Sequence, residues 1–179
     1  MKILILYGTT EGQTRKIAHF IEVILQDSGN QVTIADTTAE TPSTNGYDAV
    51  LIGSSIHMHK YQSSVKHYIK KHVAHLNQMP SAFFSVSLAA ASGLEDEQRE
   101  VQKITTHFLE QTGWKPLMTT QVAGALKYTE YDYFKRLVMK MISKKEGGAT
   151  DTSQDYEYTD WDEVTKFANE FSNKIFNKS

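Results

Sequence analysis

Thr9-Thr10-Glu11-Gly12-Gln13-Thr14 is the stretch whose residue types and spacing best suit chemistry. It follows a short apolar run, Ile3 to Tyr7, and Gly8, and a helical pattern begins within it. The first turn of a helix presents unpaired N–H groups and a partial positive charge. An anion seated there needs no lysine. Thr9, Thr10 and Thr14 add hydroxyls, and Gly12 lets the backbone come close to a ligand. The stretch reads as a cradle for a terminal phosphate. It is not a Walker loop, because no Gly-Lys-Ser/Thr follows, and it is not the G-x-G-x-x-G dinucleotide turn. The competing reading is that the hydroxyls only cap the helix.

Two more stretches favour the cradle. Gly53-Ser54-Ser55-Ile56-His57-Met58-His59 and Ser87-Leu88-Ala89-Ala90-Ala91-Ser92-Gly93 each follow an apolar run. Both are small and polar, so both can bring backbone against a flat ring. His57-x-His59 is too short a cluster to argue for a metal, and none is expected. No side chain emerges as a required general base; His57, His59, Tyr128 and Tyr131 are candidates.

The elements that position these loops follow from periodicity. Ile3 to Tyr7, Ala49 to Ile52, Ala82 to Val86 and Thr119 to Leu126 are strand-like, and Val32 to Ala35 is a shorter strand. Continuous apolar runs mark strands buried on both faces of a parallel sheet. Ile17, Ala18, Ile21, Ile24 and Leu25 recur at helical spacing, and Gly29 ends that helix. Val65 to Leu76 and residues 95 to 112 give two further helices, the latter closed by Gly113. Asp160 caps a last one, with Glu163 three residues on. The alternation predicts an α/β, doubly wound, five-stranded parallel sheet of order 2-1-3-4-5. Ligands of such sheets bind beyond the carboxyl ends of the strands, where all three stretches fall. A phosphoacceptor receiver domain shares this topology, but it needs acidic residues at the first and third strand ends, and neither end has one.

The 179 residues suit one domain, 1–179, interrupted by a long excursion at about 127–159. A net charge of −2 excludes a strongly basic nucleic-acid binder. The absence of cysteine excludes disulfides, thiolate metal sites and dithiol redox chemistry. No apolar run reaches the ~18 residues of a membrane span, and the apolar start is too short for a signal-peptide core. A cytoplasmic location is expected.

The spacing Thr9-x-x-Gly12-x-Thr14 resembles the flavodoxin family, whose first loop holds the phosphate of FMN. Three separated blocks resemble, more closely, the flavodoxin-like, menaquinone-dependent protoporphyrinogen dehydrogenases of bacterial haem synthesis. They are Asn77-x-Met79-Pro80-Ser81-Ala82-Phe83-Phe84-Ser85-Val86, Ala123 to Tyr128, and Gly147 to Thr152 leading to Tyr158-Thr159-Asp160-Trp161. The likeness spans about residues 2 to 177.

The resemblance implies FMN as cofactor and the oxidation of protoporphyrinogen IX, with menaquinone or another respiratory quinone as acceptor. It implies that Thr9, Thr10, Glu11, Gly12, Gln13 and Thr14 hold the phosphate. Ser54, Ser55, Ile56 and His57, with Ser87, Leu88, Ala89 and Ala90, would flank the isoalloxazine. Gly124, Ala125 and Leu126, with Thr150, Asp151 and Thr152, would border the same pocket. Flavodoxins usually sandwich the ring with aromatics from the second and third loops. Neither loop here carries one before Tyr61, which leaves a ring face open to a flat substrate.

The excursion departs from a plain flavodoxin. Residues 127 to 145 carry +4, leaving −6 for the remainder. Phe134, Leu137, Val138, Met141 and Ile142 share one helical face. Such a basic amphipathic stretch can lie on the inner face of the cell membrane. Its charges can also pair with substrate propionates, Lys127, Tyr128, Arg136 and Lys140 being the expected contacts. A core-facing helix with a solvated lysine face is the plainer alternative. An FMN electron carrier and an NAD(P)H:quinone reductase are the alternative functions; flavodoxin carriers are usually strongly acidic, which −2 is not.

Overall fold

The computed structural model describes residues 1–126 and 156–177. Strands β1 (Lys2–Gly8), β2 (Gln31–Asp36), β3 (Ala49–His57), β5 (Ser81–Ser87) and β6 (Met118–Ala123) form a parallel sheet. Its order is β2-β1-β3-β5-β6. With the five strands counted in chain order, this is the expected 2-1-3-4-5. A sixth strand, β4 (Lys60–Tyr61), was not expected; it pairs antiparallel with the end of β3. The fifth expected strand, 119 to 126, is broken at Gly124. Its end, β7 (Ala125–Leu126), leaves the sheet and pairs with β8 (Tyr156–Glu157).

The period of two along each strand divides the core. Ile3, Ile5 and Tyr7 face one side with Leu51, Phe84 and Val86, under α1 (Gln13–Asp27) and α4 (Trp161–Phe176). Leu4 and Leu6 face the other with Val50, Ile52 and Phe83, under α2 (Ser63–Leu76) and α3 (Glu95–Thr112). Every residue of β5 is buried, as a central parallel strand requires.

The helices end as their sequences predict. Gly29 (φ 83°) follows α1, and Gly113 (φ 71°) closes α3. The Asp160 carboxylate accepts from the N–H groups of Asp162 and Glu163 at 3.0 and 3.1 Å, capping α4. The helical face expected from Phe134, Leu137, Val138, Met141 and Ile142 lies outside the described residues. Among the described residues, no helix is long and apolar enough to cross a membrane.

Candidate functional site

The α1 terminus carries no side-chain cap. Its cap position is Gly12, at φ 92°, a left-handed conformation that side-chain-bearing residues adopt at a cost. A Cβ there would touch nothing within 4 Å, so backbone conformation rather than crowding calls for glycine. Thr9 Oγ1 accepts from the Gly12 N–H at 2.9 Å and tightens the turn ahead of the helix. The plain capping reading of the hydroxyls therefore fails. Thr14 is fully buried, and its hydroxyl has no hydrogen-bond partner among the described residues. A buried unpaired hydroxyl costs on the order of 1–3 kcal/mol. Beside open first-turn N–H groups, it suits an anion's oxygen.

The cleft at this point encloses about 40 Å³, room for one small group, and opens outward. Thr9, Thr10, Glu11, Gln13 and Thr14 line its floor. Ser55, Ile56 and His57 line it from β3, and Ser87 and Leu88 from the end of β5. Gly124 and Ala125 complete it, with Val86, which the sequence did not single out. Gly12 stands behind the floor as the cap. Ala89 belongs to a neighbouring cleft, and the Ala90 N–H is held by Ser87 Oγ at 3.2 Å. Leu126 lies in β7. Thr150, Asp151, Thr152, Lys127, Tyr128, Arg136 and Lys140 lie outside the described residues, as does Tyr131.

Ser54 does not line the cleft. It is buried, and its hydroxyl donates to Gln62 Oε1. Gln62 Nε2 donates to Ser55 Oγ at 2.6 Å and to Thr10 Oγ1 at 3.0 Å. One amide thus joins the phosphate loop to the end of β3. No periodicity or motif marks Gln62 in the sequence. Gln62→Ala should lower unfolding stability by about 1–3 kcal/mol, since Ser54 loses its acceptor in a buried place. The variant should also take up flavin about tenfold more weakly. Denaturant melts and a flavin titration check both, and parental values in both would remove the linking role.

Next to Gln62, Tyr61 roots the β3–β4 hairpin. Its hydroxyl donates to Ser85 Oγ at 2.7 Å and meets Thr105 Oγ1 at 2.7 Å. Burial pushes its pKa up to about 12, so it is a neutral structural phenol at physiological pH.

The first turns of α1 are also fastened to the chain returning from the excursion. Gln13 Nε2 donates to Thr159 Oγ1 at 2.8 Å, and Thr159 Oγ1 donates to the Ala123 carbonyl at 2.8 Å. Lys16 Nζ pairs with Glu157 at 2.5 Å and lies 5.2 Å from the Trp161 ring centre. The Lys16 hydrogen bond holds the Glu157 carboxyl below its usual range. A lowered carboxylate pKa means the contact is complete at neutral pH and fades as pH falls through that value. Lys16 is thus committed to Glu157, and the cradle relies on N–H groups and hydroxyls.

A flavodoxin domain family model matches residues 4–153. The chain belongs to the flavodoxin family. The fold agrees: oxidised flavodoxin 1 from Bacillus cereus superposes with a TM-score of 0.59 at 14% identity, over 97% of this chain and 98% of that one. Among sequence relatives, this flavodoxin-family chain is similar to the protoporphyrinogen IX dehydrogenase [quinone] of Escherichia coli strain K12. The two are 40% identical, covering 96% of this chain and 95% of the relative. The protein of that name from Leishmania major is 36% identical over 96% of this chain and 74% of its own length.

Proposed function

We propose that this chain is an FMN-dependent dehydrogenase that oxidises protoporphyrinogen IX to protoporphyrin IX and passes the electrons to a respiratory quinone. Menaquinone is the expected acceptor, the inner face of the cell membrane the expected place, and haem synthesis the expected pathway. The reaction follows the relatives' name across nearly the whole chain. The observation that carries the cofactor is the buried, unpartnered Thr14 hydroxyl at an uncapped helix start.

Bound FMN supplies two-electron acceptance, which no side chain of this chain can provide. The N–H groups of the first α1 turn and the Thr14 hydroxyl hold its phosphate. Ile56 and His57 on one side, and Ser87 and Leu88 on the other, border the ring. Ile56, His57 and Ser87 sit at strand ends whose roots are buried, and Leu88 opens the short 3-10 turn that follows β5, so buried strands fix the position of all four. Lys127, Tyr128, Arg136 and Lys140 receive the substrate, with Arg136 offering a fork to a propionate. Thr150 to Thr152 border the same pocket, and the chain works as one domain.

The test is anaerobic formation of fluorescent protoporphyrin by the FMN-loaded protein with menaquinone as sole acceptor. Product should rise linearly with protein, and Arg136→Ala with Lys140→Ala should slow it about 10-fold or more while flavin stays bound. Quinone reduction driven by NAD(P)H, with no porphyrin product, would overturn the reading.

A further inference from the structure

The β3–β4 turn contains two residues in an unusual conformation. Met58 has φ 47° and His59 has φ 61°, and neither is glycine. They are the central residues of a two-residue hairpin closed by the His57–Lys60 pair. Such turns favour Asn-Gly, because both positions need positive φ. A strained non-glycine turn persists where the surroundings fix it and a function uses it. Its root is fixed here by the buried Tyr61 hydroxyl and by Gln62.

That conformation holds an apolar side chain out in solvent. Met58 is 76% exposed, more than Val23 at 54% or Phe176 at 50%. Cationic groups surround it in sequence. From Ala49 to Leu94 there is no Asp or Glu, while Lys60, Lys66, Lys70 and Lys71 and five of the seven histidines fall there. That stretch carries +4 and the rest of the chain −6. Lys60, His67, Lys70 and Lys71 are exposed, and the last three share one face of α2 at three- and four-residue steps. The acidic neighbours of the turn, Glu97 and Glu100 of α3, line a small cleft together with Met58 and His59. α2 begins two residues after β4, so its exposed face runs back from the hairpin, with Lys70 and Lys71 about two turns along it. Ile56 and His57, at the base of the same hairpin, line the candidate flavin cleft.

We propose that the β3–β4 turn and the exposed face of α2 as far as Lys71 form the surface by which this chain docks on anionic lipid. Met58 enters among the headgroups, and Lys60, Lys70 and Lys71 meet lipid phosphates. The apolar tip favours lipid over an acidic protein, because a wedge gains free energy only where it finds an apolar medium. The inference rests on the quinone reaction above, whose acceptor is dissolved in the membrane, and it places the cleft mouth beside that acceptor.

Full-length FMN-loaded protein is sedimented with vesicles of neutral phosphatidylcholine, or of phosphatidylcholine with about a third phosphatidylglycerol. Parent protein should partition to the anionic vesicles, and less so at high salt. The triple variant Lys60→Gln, Lys70→Gln, Lys71→Gln should bind them about 100-fold more weakly, roughly 5-fold per charge. Met58→Asn should bind about tenfold more weakly. Asparagine accepts positive φ readily, so the same variant should melt about 2–4 °C higher. A merely structural Met58 would not give that combination. Turnover with a water-soluble quinone, without vesicles, should stay parental in both variants. Unchanged partitioning in both variants overturns the proposal. So does equal binding to neutral and anionic vesicles, or binding to heparin without binding to vesicles. Should no preparation oxidise porphyrinogen while lipid binding still depends on these residues, the reaction is refuted and the docking surface stands.

Discussion

Thr14→Val should weaken FMN binding by about 10- to 100-fold while leaving the apoprotein as stable as the parent, or more so. Valine keeps the shape and removes the hydroxyl. A hydrogen bond to a charged partner contributes about 1.5–3 kcal/mol, which sets the loss in affinity. The gain without flavin has a separate cause. The Thr14 oxygen is buried and unpaired, so replacing it with a methyl removes a desolvation cost. Flavin fluorescence titration and denaturant melts of the apoprotein measure the two quantities. Opposite signs identify a hydroxyl kept for a ligand; a drop in both would make Thr14 part of the scaffold. Thr9→Val is the contrasting control. Its oxygen already accepts from Gly12 N–H, so that change should cost stability as well as affinity.

Gly53→Ala should destabilise the fold by about 3 kcal/mol or more, and flavin should be lost with it. Gly53 pairs with Phe84 in the β3–β5 register, and the outer end of the Phe84 ring fills the space where a Gly53 side chain would begin. A Cβ at Gly53 would overlap three atoms of that ring. Phe84 is fully buried in the cluster that also holds Ile17, Ala18 and Ile21 of α1, so the ring has little room to turn. Moving it shifts the helix whose first turn forms the cradle. Thermal melts of the single variants and of Gly53→Ala with Phe84→Leu give the coupling. The smaller side chain should restore a large part of the loss; strictly additive losses would show that the ring is not what forbids a Cβ there.

The central fold was legible because β1, β3 and β5 are buried on both faces, which writes an unbroken apolar run. The edge strands are weaker in the sequence because they are half exposed: β2 alternates, and the end of β6 turns away at Gly124. β4 and β8 leave no mark in the sequence because two residues carry no period, and β7 reads as the continuation of β6 because nothing but Gly124 separates them. The β3–β4 turn was missed because Met58-His59 lacks the glycine that normally announces it. At the site, hydroxyls and glycine disclosed the cradle, since helix-start chemistry is local. Gln62 and Thr159 went unseen for the opposite reason. Each acts through partners far along the chain, Thr10 for one and Gln13 for the other, and only folding brings them together.

The β7–β8 pair has a consequence for how this protein varies. The backbones of Leu126 and Tyr156 are paired in register, and the Tyr158 N–H donates to the Gly124 carbonyl at 3.1 Å. The described chain therefore ends and resumes at one narrow neck beside the main sheet. Chain closed at such a neck lengthens at little expense, about 0.6 kcal/mol for each doubling. The intervening segment is in effect a cassette: trimming it, or exchanging it for another of different size, should leave the scaffold standing and re-aim only what it serves.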